Sequence, residues 1–253
     1  MWILGIETST RTGSLALLNN EKIVSEFTLN TDAKYSSLLM PMLDMILKFS
    51  KITAKDINAA VVSIGPGSFT GLRIGISTAY GLAEALEIPV IGIPTLEVLA
   101  YNLFDVHGLI CPILSARKGE VYAAVYRSDV NKSEKTSLNR KKIKDNSTML
   151  KELFSSTAIK IENFIPILEQ YSCAGENIFF VGEGADAFNE ILYDSLGEKA
   201  IFVPSYLNYI RAGILAGIGG KRIEYKNKAF NNKNIITPLY CRKSELEYKR
   251  FKN

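Results

Sequence analysis

One stretch constrains the fold more than any other: Gly65-Pro66-Gly67-Ser68-Phe69-Thr70-Gly71-Leu72-Arg73-Ile74-Gly75, set between a short apolar run (Ala59 to Ile64) and a long helical one (Ser68 to Leu86). A continuous apolar run of that length suits a parallel strand covered on both faces, so strand, turn and helix read as the entrance to a β-α unit. Such a turn aims backbone N–H groups and the positive end of a helix at whatever lies above it, a ready anion site. It matches neither common phosphate motif. No Gly-Lys-Ser/Thr follows, and Thr70 stands where the dinucleotide fingerprint wants its third glycine. The alternative is packing. Pro66 and Gly67 then make the turn, Ser68 caps the helix, and the small residues Gly71, Gly75, Ala79 and Ala83, recurring every fourth position, let another backbone approach closely.

The rest of the first hundred residues fits the same unit. Trp2 to Ile6, Ser14 to Leu18 and Ile23 to Leu29 read as three antiparallel strands, the last two joined by a turn at Asn19-Asn20. Tyr35 to Phe49 reads as a helix, and Pro89 to Ile93 as a further strand. The order β-β-β-α-β-α-β is that of a ribonuclease H-like domain. A fainter echo begins near Leu109, with strands at Ile110 to Leu114, Val121 to Tyr126 and Ile178 to Gly182. The expected architecture is α/β and two-lobed, with duplicated ribonuclease H-like lobes. Its parts are 1–104, a degenerate second lobe at 105–204 with a basic insertion at 127–144, and 205–253, a helix from Ser205 to Ile223 and a basic tail packing back on a lobe.

Composition removes whole classes of chemistry. With 47% hydrophobic and 22% charged residues the chain is globular rather than disordered. A net charge of +4 is too small for a protein that coats nucleic acid. Cys111, Cys173 and Cys241 lack redox or zinc spacing and read as free thiols in a reducing compartment. The first apolar run soon meets Glu7, and Ile210 to Gly220 is too short to cross a bilayer, so a cytoplasmic location is expected. His107 is the only histidine, which excludes a histidine-pair metal site.

Few residues remain as chemical candidates. Glu7 ends the first strand, where related architectures hold a metal or phosphate, but it lacks a partner carboxylate: the matching turn of the second half offers Ser115. A lone carboxylate there reads better as an acceptor for turn N–H groups. Gly182-Glu183-Gly184-Ala185-Asp186 can border a nucleotide or simply join strand to helix. The helix after Tyr35 carries a different signal. Nine of the twelve positions from Leu38 to Phe49 are apolar, including Met40, Met42 and Met45, more than one core face consumes. Its second face reads as a protein interface, or else the helix is sandwiched inside its own domain.

Several segments taken together resemble the bacterial TsaB (YeaZ) family. They are the opening ILGIETST, Tyr35-Ser36-Ser37-Leu38-Leu39-Met40-Pro41, GPGSFTGLRIG, GIPTLE at Gly92 to Glu97, Ala116-Arg117-Lys118-Gly119-Glu120-Val121-Tyr122, Val181-Gly182-Glu183-Gly184 and Pro238-Leu239-Tyr240-Cys241-Arg242-Lys243. The chain departs from the family pattern at Tyr35, often histidine, and at Ser115, often aspartate. The resemblance implies the actin/Hsp70/sugar-kinase (ASKHA) fold and a part in forming N6-threonylcarbamoyladenosine beside the anticodon of tRNA. It implies a non-catalytic scaffold without cofactor or metal, partnered by a TsaD-like transferase and a TsaE-like ATPase, and forming homodimers when alone. The expected interface residues are Met40, Leu43, Leu47, Ile74, Thr78 and Gly81, and the expected tRNA contacts Arg140, Lys141 and Lys142. Two other readings stay open: an active enzyme of this fold, either a threonylcarbamoyl transferase or a small-molecule kinase, and a direct tRNA-binding module.

Overall fold

The structure, a computed structural model, describes residues 1–117, 119–128, 150–225 and 236–241. It divides into two compact units, Met1–Val98 together with Tyr209–Asn253, and Leu99–Asn208. Sequence reading places the boundaries at 104 and 204.

The first unit is built on a five-stranded sheet of order β3-β2-β1-β4-β5, from β1 (Trp2–Glu7), β2 (Thr12–Asn19), β3 (Lys22–Asn30), β4 (Ile57–Ser63) and β5 (Val90–Ile93). The first three strands run antiparallel, and β4 and β5 add in parallel beside β1. The β2–β3 turn lies one residue beyond its expected place. Asn20 and Glu21 take positive φ while Asn19 pairs with Lys22, the backbone twist that a two-residue hairpin needs. Helices α1 (Tyr35–Ser50) and α2 (Phe69–Leu86) cover one face. Leu4, Ile6, Leu15, Leu17, Ala60 and Val62 meet Leu39, Met42, Leu43, Ile46, Leu72 and Ile76 there in one core. The alternate residues point the other way, because successive strand side chains face opposite sides. Gly5 meets Ala212 and Ala216, Val61 meets Gly219, and Ile3 meets Gly220, all on the late helix α7 (Ala212–Tyr225). Coverage on both faces is why β1 is apolar from Trp2 to Ile6 and β4 from Ala59 to Val62.

That late helix is shorter than expected. Ser205–Leu207 is a single 3₁₀ turn after Pro204, and the buried Asn208 then turns inward to accept the Gly182 N–H at 2.8 Å. Asn208 to Arg211 are non-helical, and α7 starts only at Ala212.

The second unit repeats the first. Strands β6 (Leu109–Ser115), β7 (Glu120–Ser128), β8 (Leu150–Lys160), β9 (Ile178–Val181) and β10 (Ala200–Phe202) form a sheet of order β10-β9-β6-β7-β8. Read backwards this is the first sheet's order, with β6–β7 and β7–β8 antiparallel and β9 and β10 parallel. Helices α4 (Ile161–Tyr171) and α6 (Asn189–Leu196) pack on it through Phe164, Leu168 and Leu192. The duplication, faint in sequence, is complete in topology. Among the described residues no helix is long and apolar enough to cross a membrane.

Candidate functional site

Three N–H groups of the glycine-rich turn bond within the chain. The Gly65 N–H bonds Thr95 Oγ1 at 3.1 Å, the Ser68 N–H bonds the Ser9 carbonyl at 2.7 Å, and Ser68 Oγ caps α2 by accepting the Gly71 N–H. In return Thr8 Oγ1 donates to the Gly71 carbonyl at 2.8 Å. A Cβ at Gly67 would collide with the Ser9 carbonyl, at Gly71 with the Thr8 carbonyl, and at Gly75 with Thr8 Oγ1. The sequences IETST and GPGSFTGLRIG are therefore two sides of one contact: glycines of the helix entrance let the first strand's turn lie directly against them. Gly71, Gly75, Ala79 and Ala83 are all buried, so the small-residue stripe is used against the chain's own sheet and is not a docking face for another helix.

Glu7 sits in the same clasp, fully buried. Its Oε1 accepts the Ser9 N–H at 2.5 Å and the Ser9 hydroxyl, and Oε2 accepts the Ser63 hydroxyl. Burial pushes its carboxyl above the ordinary range, and the Ser63 and Ser9 hydrogen bonds only partly oppose that. The arrangement fits an acceptor that ties β1 to β4. Tyr35, in the place of the family's frequent histidine, is a second tie: its hydroxyl accepts the Gly13 N–H and lies 2.7 Å from the Arg11 carbonyl and 2.9 Å from that of Leu29. Burial raises this phenol's pKa, against the Gly13 hydrogen bond.

The second unit's matching turn holds a carboxylate that sequence reading did not see. Glu183 accepts both the Ser115 N–H at 2.8 Å and the Ser115 hydroxyl at 2.7 Å. Asn208 closes the neighbouring turn, with its amide donating to Asp186 at 3.0 Å. No group of three or more His, Cys, Asp or Glu among the described residues is placed to hold a metal ion. His107 is exposed on a loop, and burial pushes the Cys111 thiol up strongly and the Cys241 thiol to about 11.

The apolar excess on α1 sorts by face. Leu39, Met42, Leu43, Ile46 and Leu47 recur at helical spacing and are buried against the sheet. Two residues expected at the partner interface, Leu43 and Leu47, thus belong to the core, because they share the stripe that begins at Leu39. Met40 and Met45 are each 50% exposed, and Phe49, 68% exposed, meets the Phe27 ring edge-on with centroids 6.3 Å apart. On α2, Ile74 and Thr78 are half-buried, while Gly81 is exposed with no atom within 4 Å of where a Cβ would sit. Arg140, Lys141 and Lys142 lie outside the described residues. Arg127, at the start of the basic insertion, is held by Glu176 and the Tyr171 carbonyl, both at 2.9 Å.

One further element reaches the turn. The segment 236–241, read from sequence as part of an irregular tail, lies across it: the Leu239 N–H bonds the Ile64 carbonyl at 2.7 Å, and the Leu239 carbonyl lies against Gly65. Ile236 packs on Gly92 and bonds Tyr80 through its N–H. The Tyr240 ring lies 4.9 Å from that of Phe69, with the Arg73 guanidinium 3.9 Å over the Phe69 ring. The sequence signal was the Pro-Leu-Tyr-Cys-Arg-Lys piece, which carried no periodicity.

Comparison with known proteins agrees with this geometry. A family model described as TsaD, tRNA N6-adenosine threonylcarbamoyltransferase, matches residues 22–250. The tRNA threonylcarbamoyladenosine biosynthesis protein TsaB of Bacillus subtilis (strain 168) is 30% identical over 249 residues, covering 98% of this chain and 97% of that protein. The chain belongs to the TsaB family. TsaB of Escherichia coli (strain K12) is 41% identical over 133 residues, 52% of this chain and 57% of that one. The solved structure of YeaZ from Pseudomonas aeruginosa superposes with a TM-score of 0.70 at 21% identity, over 94% of this chain and 99% of that chain, and so shares the fold. In this TsaB family member, then, two five-stranded sheets of matching order make up the fold, and the glycine turn of the first unit is tied to Ser9 and Thr95.

Proposed function

We propose that the chain takes part in forming N6-threonylcarbamoyladenosine in tRNA as a non-catalytic subunit. It supports a TsaD-like transferase, with a TsaE-like ATPase joining them. One observation carries the reading: the helix that packs five residues into its own core also leaves Met40 and Met45 exposed, on a chain whose buried Glu7 is already engaged by two serines. Outward methionines suit an adaptable interface, and the exposed Gly81 of α2 leaves open space for a partner's side chain. The same face meeting a second copy of the chain would make homodimer and heterodimer exclusive, as expected for an isologous surface shared by paralogues.

The test is co-purification of the full chain with the TsaD homologue of its own organism, together with a reconstituted tRNA modification assay. Met40→Asp places an unpaired charge in the interface and is expected to weaken association by roughly 100-fold or more while the circular dichroism spectrum stays unchanged. Wild-type recovery of the partner by a folded Met40→Asp variant overturns the interface. A loss of about 100-fold in modification rate on Glu7→Gln, with assembly intact, overturns the non-catalytic role instead.

A further inference from the structure

Tyr240, Phe69 and Arg73 form a small stack at the surface beside the glycine turn. Phe69 is 37% and Tyr240 41% exposed, and Arg73, also exposed, lies over the Phe69 ring. No carboxylate among the described residues pairs with Arg73. An aromatic pair with an unneutralised guanidinium is the combination on which unpaired bases stack, since every base offers a π face and its phosphate a negative charge. The platform is also held rigidly. Phe69 is the first residue of α2, and Tyr240 is delivered by a backbone already fixed at Leu239 to Ile64 and at Ile236 to Tyr80. The flanking sequence has charge of the right sign: residues 226–253, within which Tyr240 stands, carry eight Lys and Arg against two Glu, whereas residues 1–225 carry 22 basic against 24 acidic.

We propose that Tyr240, Phe69 and Arg73 make up an RNA-contact platform on which an unpaired base stacks while Arg73 meets its phosphate. The proposal rests on the reading that the chain works on tRNA, and it assigns the contact to the strapped turn rather than to the basic insertion. It calls for single-stranded RNA, because a base inside a duplex has no free face to offer.

The test uses the full chain, a labelled oligouridylate and an RNA duplex of equal length, with affinity followed by fluorescence anisotropy across a salt series. Wild type is expected to prefer the single strand. Tyr240→Ala is expected to weaken oligouridylate binding roughly ten-fold with the salt slope unchanged, since no charge is lost, and Tyr240→Phe to restore it. Arg73→Gln is expected to lower the salt slope by about one. Tyr240→Leu separates stacking from anchoring: it keeps apolar bulk against Phe69 but offers no π face, so it should bind like the alanine variant. Wild-type affinity in Tyr240→Ala, full rescue by Tyr240→Leu, or no preference for single strands overturns the platform. Recovery of the TsaD partner is measured on the same variants, so that failure of the subunit reading and failure of the platform give different results.

Discussion

Glu7 ends β1 as a fully buried acceptor of hydrogen bonds. Both its oxygens accept hydrogen bonds from Ser9 and Ser63, and burial holds its carboxyl pKa above the ordinary 4.5. A carboxyl raised in the folded state contributes stability that is fully present below the unfolded value and is lost as pH climbs through the folded one. Glutamine mimics the neutral form and cannot ionise. Denaturant unfolding of Glu7→Gln and wild type at about pH 4 and at neutral pH should therefore show the variant gaining relative stability as pH rises. A difference that does not change with pH would contradict the burial argument. Glu7→Ala should instead cost about 1–3 kcal/mol, because the Ser9 N–H and Ser63 hydroxyl lose their acceptor. The acceptor role of Glu7 was legible in the sequence from its lack of a partner carboxylate. Glu183 was not legible: its partner Ser115 is 68 residues away, and only the sheet brings the two together.

At the scale of elements, α2 carries two kinds of glycine that sequence alone does not separate. Gly75 faces Thr8, so Gly75→Ala forces the helix off the sheet and should destabilise the chain by about 1–3 kcal/mol. Gly81 faces open space, and Gly81→Ala should stabilise by about 0.5–1 kcal/mol through the unfolded chain's lost freedom. Thermal unfolding of both variants checks the contrast, and equal effects would place the stripe wrongly. The period of four in α2 was readable, but not which element it served. The same holds for α1, where a surplus of apolar residues announced a second face while Leu43 and Leu47 fell on the first. In the first unit β1, β2 and β4 were readable because they are buried on both sides, and β3 because its partial alternation marks a half-exposed strand. In the second unit β8 is half-exposed and follows the basic insertion, so neither continuous apolarity nor clean alternation marks it.

For the molecule as a whole, the first sheet depends on residues from both ends of the chain. A chain ending at residue 208 keeps α1 and α2 but lacks α7, leaving Ile3, Gly5 and Val61 bare on the sheet's other face. Such a chain should be insoluble or lose the cooperative unfolding of its first unit. A chain ending at residue 225 keeps α7 and loses only the strap, and should fold with a lower Tm. A soluble, fully cooperative chain ending at 208 would show that α7 is dispensable. The duplicated topology was foreseen, and the late helix was expected to pack back on a lobe, but a glycine-rich helix of weak amphipathicity does not say which sheet receives it. This wiring has a consequence during synthesis. The sheet of Leu99–Asn208 is complete before α7 has been translated, whereas the sheet begun at Trp2 waits with one apolar face uncovered for on the order of ten seconds while the intervening residues are made. A ribosome that stalls in that interval releases a nascent chain with an open β-surface, the kind of substrate that chaperones hold and proteases clear.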